Sequence, residues 1–113
     1  MDKHDEIVRS FQSIGLSNRA IYACLRAGIE TLDDLVCESL KAVHMKSVME
    51  TMGIKPTKVN VYPYLVNAFG EPCRAGTQFP KLYKHGIGDN LLNEILNCVE
   101  KSGLLSQDGV TDE

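Results

Sequence analysis

The chain has no tryptophan, and only three phenylalanines and four tyrosines among its 113 residues. Its core must therefore be built mainly from aliphatic side chains. No apolar run approaches the roughly 18 residues that a membrane-spanning helix needs, which excludes one. The four cysteines, Cys24, Cys37, Cys73 and Cys98, include no Cys-x-x-Cys pair, and the three histidines, His4, His44 and His85, fall at no zinc-finger spacing. No metal site or cofactor is predicted on that pattern. Paired catalytic carboxylates, a nucleophile motif and a Walker-type phosphate loop are also missing, so the chain is not read as an enzyme. The start, Met1 to Glu6, is charged and leads into no apolar block, unlike a secretory signal peptide. The expectation is a cytoplasmic protein with reduced, structural thiols, Cys24 and Cys98 lying within apolar helical stripes. Positive charge is not in excess either. The net charge is -3, which taken as a total argues against nucleic acid as a partner.

What is present reads as one small globular domain over 1–113. Apolar residues make up 43% and charged residues 24%, which is ordinary globular composition. Ile7, Phe11 and Ile14 share one face of a first helix over 3–14. Ser17 is placed to cap a second helix over 18–27, with Ile21, Cys24 and Leu25 inward and Gly28 just past its end. Thr31 can cap a short third helix burying Leu32, Leu35 and Val36. Its Asp33 and Asp34 suit the positive end of the helix dipole. Ser39 can cap a fourth helix, running to Thr51 or Met52, with Leu40, Val43, Ser47 and Val48 on one stripe and Gly53 as its stop.

Residues 55–84 contain all four prolines, so a long helix is not expected there. An edge strand is predicted over 58–64, a turn over 67–72 and a second short strand around 77–79. Gly88 or Asp89 then opens a final helix over 89–101, with Leu91, Leu92, Ile95, Leu96, Cys98 and Val99 as a wide apolar stripe. Gly103 stops it, and the acidic tail, 106–113, is expected to be disordered. The fold class predicted is mainly α: a compact four- to five-helix domain. Its helical core is 3–54 and 85–104, and 55–84 form an irregular or β-hairpin-like insertion.

Two stretches carry more information than the rest. The first holds Leu16-Ser17-Asn18-Arg19-Ala20, Cys24-Leu25, Ala27-Gly28-Ile29-Glu30-Thr31 and Asp34-Leu35. The second holds Gly86-Ile87-Gly88, Leu92, Glu94-Ile95 and Gly103-Leu104. Gly-Ile-Gly before an amphipathic helix makes a tight turn whose exposed N–H groups, with the helix dipole behind them, suit a phosphate oxygen. The residue between the glycines plugs the core in such a helix-hairpin-helix element.

In order and spacing, the two stretches resemble the C-terminal domain of the bacterial RNA polymerase alpha subunit, over about half of the chain. The resemblance implies a compact helical fold with a helix-hairpin-helix element. It also implies binding in the minor groove of promoter DNA, mostly through backbone contacts, and docking on activators and sigma factor. Residue by residue, the family's minor-groove arginine matches Arg19, its helix-opening glycine matches Gly88, and the glutamate that orients the arginine matches Glu94. Gly86, Ile87 and Asn90 complete the expected DNA-binding set. Elsewhere the chain departs from the family. Tyr22 stands where the family has a DNA-contacting asparagine, Asp89 and Asn90 where it has lysines, and Leu91 where it has serine. Each lost lysine removes a phosphate contact, and Tyr22 and Leu91 make the face more apolar, as on a protein-binding surface. The family also has only a short helix and turn where this chain places 51 residues between Val36 and Gly88.

The charge is unevenly spread. Residues 55–84 hold Lys55, Lys58, Arg74, Lys81 and Lys84 against one acid, Glu71, whereas 1–54 and 85–113 are both net acidic. The same block holds Tyr62, Tyr64, Phe69, Phe79 and Tyr83, five of the seven aromatics. Bases interleaved with aromatics suit a nucleic-acid surface. Equally, the rings can anchor the block on the helical core while the lysines solvate it. Two functions remain open. One is a transcription-associated DNA-binding module. The other is a protein-interaction module that docks on RNA polymerase, sigma factor or another protein, through Tyr22, Asn90 and Leu91 or through residues 55–84.

Overall fold

The computed structural model describes residues 3–70, 79–84 and 86–104. Five α-helices and one 3-10 turn are found among them: α1 (Lys3–Gln12), α2 (Asn18–Arg26), α3 (Leu32–Thr51), α4 (Lys58–Phe69), the turn Lys81–Tyr83, and α5 (Asp89–Lys101). The described residues contain no strand. Among the described residues no helix is long and apolar enough to cross a membrane.

Local signals set the ends of the first helices. Ser17 Oγ accepts from the Ala20 N–H (3.2 Å) and Thr31 Oγ1 from the Asp34 N–H (2.9 Å), so α2 and α3 begin where a side-chain oxygen meets an orphan donor. At the end of α2 the chain reverses through Gly28, whose φ of 93° suits a residue without a Cβ. The Ile29 N–H then returns to the Cys24 carbonyl (2.9 Å), and Ile29 itself is buried. The same closure ends α3, where the Ile54 N–H donates to the Met49 carbonyl (2.9 Å).

Two expectations are corrected. The predicted third and fourth helices are one continuous helix, α3, about 30 Å long at 1.5 Å per residue. Ser39 does not cap anything: it is fully buried, and its hydroxyl has no hydrogen-bond partner. The inward face of α3 is Leu35, Ser39, Ala42 and Met49, while Leu40 and Val43 are exposed. The predicted strand over 58–64 is the first half of α4. Alternation of Val and Tyr there coincides with an i, i+4 pair, Val61 and Leu65, and burial of that pair decides the outcome. Pro63 lies inside the helix and removes one backbone bond. Pro63 and Val59, four residues before it, are both exposed, so water can replace the lost bond.

The turn expected over 67–72 is also corrected in its first half, where residues 67–69 are the last residues of α4 and Gly70 ends it. Residues 71–72, most of the second predicted strand around 77–79, and the acidic tail over 106–113 lie outside the described residues. Part of the proline-rich block belongs to the core. Val61, Leu65, Phe79, Leu82 and Tyr83 are buried in the same cluster as Phe11 of α1, Ile21 of α2, Leu35 of α3, and Leu92, Ile95 and Val99 of α5. Tyr62 and Phe79 pack as a tilted ring pair with centroids 5.6 Å apart.

Glu38, only 6% exposed, holds the 3-10 turn to α3. Its Oε1 accepts from the Lys81 N–H (2.8 Å) and its Oε2 pairs with Lys41 Nζ (3.1 Å). Glu38→Ala removes the acceptor of a part-buried donor. The expected loss is about 1–3 kcal/mol of stability in urea denaturation. Glu38→Gln keeps an acceptor and should lose less.

Burial also predicts an alkaline weakness. The Cys24 thiol is pushed up from 9.0 to about 12 by burial, with the Glu94 charge adding to it. The Tyr83 phenol is pushed up from 10.0 to about 12 by burial, with Asp89 adding. Lys58 is lowered from 10.5 by burial, and Asp89 opposes that shift. The unfolded chain therefore releases the Cys24 and Tyr83 protons at lower pH than the folded one. Their contribution to stability is full below about pH 9 and is lost as pH rises toward about 12. The Lys58 contribution has the opposite sign. The melting temperature should fall as pH rises above 9, and Cys24→Ala should make that fall shallower between pH 9 and 10.

Candidate nucleic-acid interface

The start of α2 and the start of α5 face each other. They are joined by Glu94, whose Oε2 accepts the Ser17 N–H (3.1 Å) across 77 residues of sequence. Between them lies a cleft of about 560 Å³, lined by Arg19, Gly86, Gly88, Asp89, Asn90, Leu91 and Glu94. The structure thus brings Arg19 together with most of the Gly-Ile-Gly segment and the first turn of α5. Ile87 is buried at 1% exposure beneath the turn. Gly86 has φ 95° and needs the freedom of glycine. The element before the turn is a single 3-10 turn, Lys81–Tyr83, rather than a full helix.

Gly88 is the N-cap of α5 and provides no side-chain cap, so the first-turn amides of α5 keep unmet donor capacity at the cleft. Arg19 is exposed. Among the described residues the only ion pair is Lys41–Glu38, so Glu94 holds the backbone two residues before Arg19 rather than its guanidinium. Asp89 and Glu94 set two carboxylates in the same cleft. Each already accepts a backbone N–H, Asp89 Oδ1 that of Lys58 (2.8 Å).

Three of the four lysines of the proline-rich block donate to main-chain carbonyls. Lys58 Nζ donates to the carbonyls of Lys84 (2.5 Å) and Ile87 (2.6 Å). Lys81 Nζ donates to the Gly28 carbonyl (3.0 Å) and Lys84 Nζ to the Ala27 carbonyl (3.4 Å). Those two cations sit at the C-terminal end of α2, where the dipole favours positive charge. Lys55 is exposed, and Arg74 lies outside the described residues. Tyr22 and Tyr64 are exposed at 43% and 46%, and Leu91 is half-buried. A second groove of about 500 Å³ runs alongside, lined by Lys58, Val59, Tyr62, Pro63, Gly88 and Asp89.

The pairing of Lys58 with Asp89 was not visible in the sequence. The two positions are 31 residues apart, and the one hint was an acidic residue at a helix start facing a lysine-rich block. Of the thiols, Cys37 is exposed and Cys73 lies outside the described residues. Cys24 is fully buried, and Cys98, half-buried, donates to the Gly15 carbonyl (3.6 Å).

No family model matches the chain, and comparison with curated proteins and with solved structures gave no match.

Glu94 is the bridge between the cleft walls. Glu94→Ala should cost about 1 kcal/mol in urea denaturation and speed amide exchange at Ser17. Glu94→Gln, which keeps the acceptor, should restore most of both.

Proposed function

We propose that the protein is a non-enzymatic, cytoplasmic DNA-binding module associated with transcription, working as the resemblance to the RNA polymerase alpha C-terminal domain implies. The observation that carries the reading is the convergence of Arg19 and the uncapped first turn of α5 in one cleft, from opposite ends of the sequence. In this reading Arg19 enters the minor groove, where a narrow negative channel attracts a guanidinium. A phosphate sits on the amides of 88–91, and Asn90 and Leu91 line its edge.

Magnitudes make this weak binding. An anion at a helix start gains about 0.3–1 kcal/mol. Asp89 and Glu94 oppose it, and their hydrogen bonds to Lys58 and Ser17 temper that opposition. With Arg19 as the one cation lining the cleft among the described residues, few counterions are released. The slope of log K against log salt should be about −1 to −2, far from the values of a protein with many phosphate contacts. Fluorescence titration of an A·T-rich duplex at low and moderate salt measures it. Arg19→Ala should lower affinity about tenfold and flatten the slope by about 0.9. Undetectable binding at low salt overturns the proposal.

A second reading is favoured by α4. From Val59 to Phe69 it carries no charged residue, yet Val59 is 76% exposed and Phe69 39%. Such a face suits docking on RNA polymerase, sigma factor or another protein. Pull-down of polymerase core and sigma factor tests it. Capture that is lost in Val59→Asp and kept in Arg19→Ala would favour this reading over the first.

A further inference from the structure

A turn that offers its amides to a ligand has carbonyls to satisfy on its other side. In this protein two of them, on Lys84 and Ile87, converge on one group, Lys58 Nζ, at 2.5 Å and 2.6 Å. The backbone N–H of the same residue donates to Asp89 Oδ1 at 2.8 Å. Lys58 therefore holds the chain before, within and just after the Gly86-Ile87-Gly88 turn. It reaches these points from the first position of α4, an element the turn does not contact in sequence. An ammonium has three donors and no acceptor, so it can donate to both carbonyls at once.

We propose that Lys58 is the positioning residue of the cleft. Its ammonium fixes the turn so that the first-turn amides of α5 face Arg19, and its own N–H draws the Asp89 carboxylate toward α4. In the sequence Lys58 is one of several bases suited to a phosphate. In the fold it is half-buried and engaged with carbonyls, and it supports the anion site from behind without touching the ligand. The effect on DNA affinity rests on the proposed function; the effect on the turn does not.

Two measurements on the full chain separate these. The first is amide hydrogen exchange without any ligand. In Lys58→Met, the hydrogen-bonded amides that flank the turn, Lys84 and Leu92, should exchange about tenfold faster. Those of Ser13, at the end of α1, and Leu35, at the start of α3, should be unchanged. Lys58→Arg keeps a cation with donors for both carbonyls and should restore protection. Should Lys58→Met not fold, Asp89→Asn, which weakens the acceptor of the Lys58 N–H, should show the same local pattern to a smaller degree. Unchanged exchange at Lys84 and Leu92, or equal acceleration across the whole chain, overturns the proposal.

The second is titration of the A·T-rich duplex with the folded variants. Lys58→Met should lose about tenfold in affinity with the salt slope unchanged. A slope smaller by about 0.9 would mean a direct phosphate contact and overturns the positioning role, as does unchanged affinity. If the unaltered protein binds no DNA at low salt, the proposed function fails while hydrogen exchange still decides the role of Lys58 in the turn.

Discussion

Every helix leaves backbone donors unmet at its start and acceptors unmet at its end. Short helices have many such ends for little length, and this chain satisfies them with charged side chains brought from far away. Glu38, Asp89 and Glu94 accept the N–H groups of Lys81, Lys58 and Ser17. Lys58, Lys81 and Lys84 donate to carbonyls of the Gly-Ile-Gly region and of the end of α2. Charge-assisted hydrogen bonds of this kind are stronger than neutral ones. They fix which helix end meets which, and they leave the apolar cluster to fill the space between.

This use of charge reframes the electrostatics of the surface. A block with five bases and one acid looks like a polyanion-binding face when read as a string. Three of those bases are engaged with main-chain carbonyls, and Lys55 remains exposed. Asp89, which as a sequence feature repels a phosphate, has its oxygen engaged by the Lys58 N–H. Lys58, one base of that block, and Asp89 thus meet in one internal contact. Arg19 is the base that the cleft itself retains.

Local chemistry was legible in the sequence and long-range choice was not. Ser17, Thr31, Gly28 and Gly53 mark helix ends through short-range geometry, and the structure uses them as such. Ser39 carries the same cap chemistry, but it is buried inside a longer helix because Leu35, Ser39, Ala42 and Met49 share a face that the core needs. The Val- and Tyr-rich run at 58–64 fits strand and helix periods alike. Burial of Val61 with Leu65 selects the helix, even with Pro63 inside it. Of the candidate site, the grouping of Arg19 with Gly86, Gly88, Asn90, Leu91 and Glu94 was implied by the family resemblance of the two stretches. The Lys58–Asp89 contact had no local signature, since it depends on how α4 lies against the turn.

The Ser17–Glu94 bond has a consequence in time as well as in space. Its partners are 77 residues apart, so closing that loop is among the costlier steps in assembling the chain, although the cost grows only logarithmically with length. During synthesis α1, α2 and α3 can emerge and adopt their locally marked ends while α5 is still within the ribosome. Arg19 is then present without a second wall beside it. The cleft comes into being only when α5 arrives, so any recognition that uses it is withheld from the growing chain and belongs to the finished one.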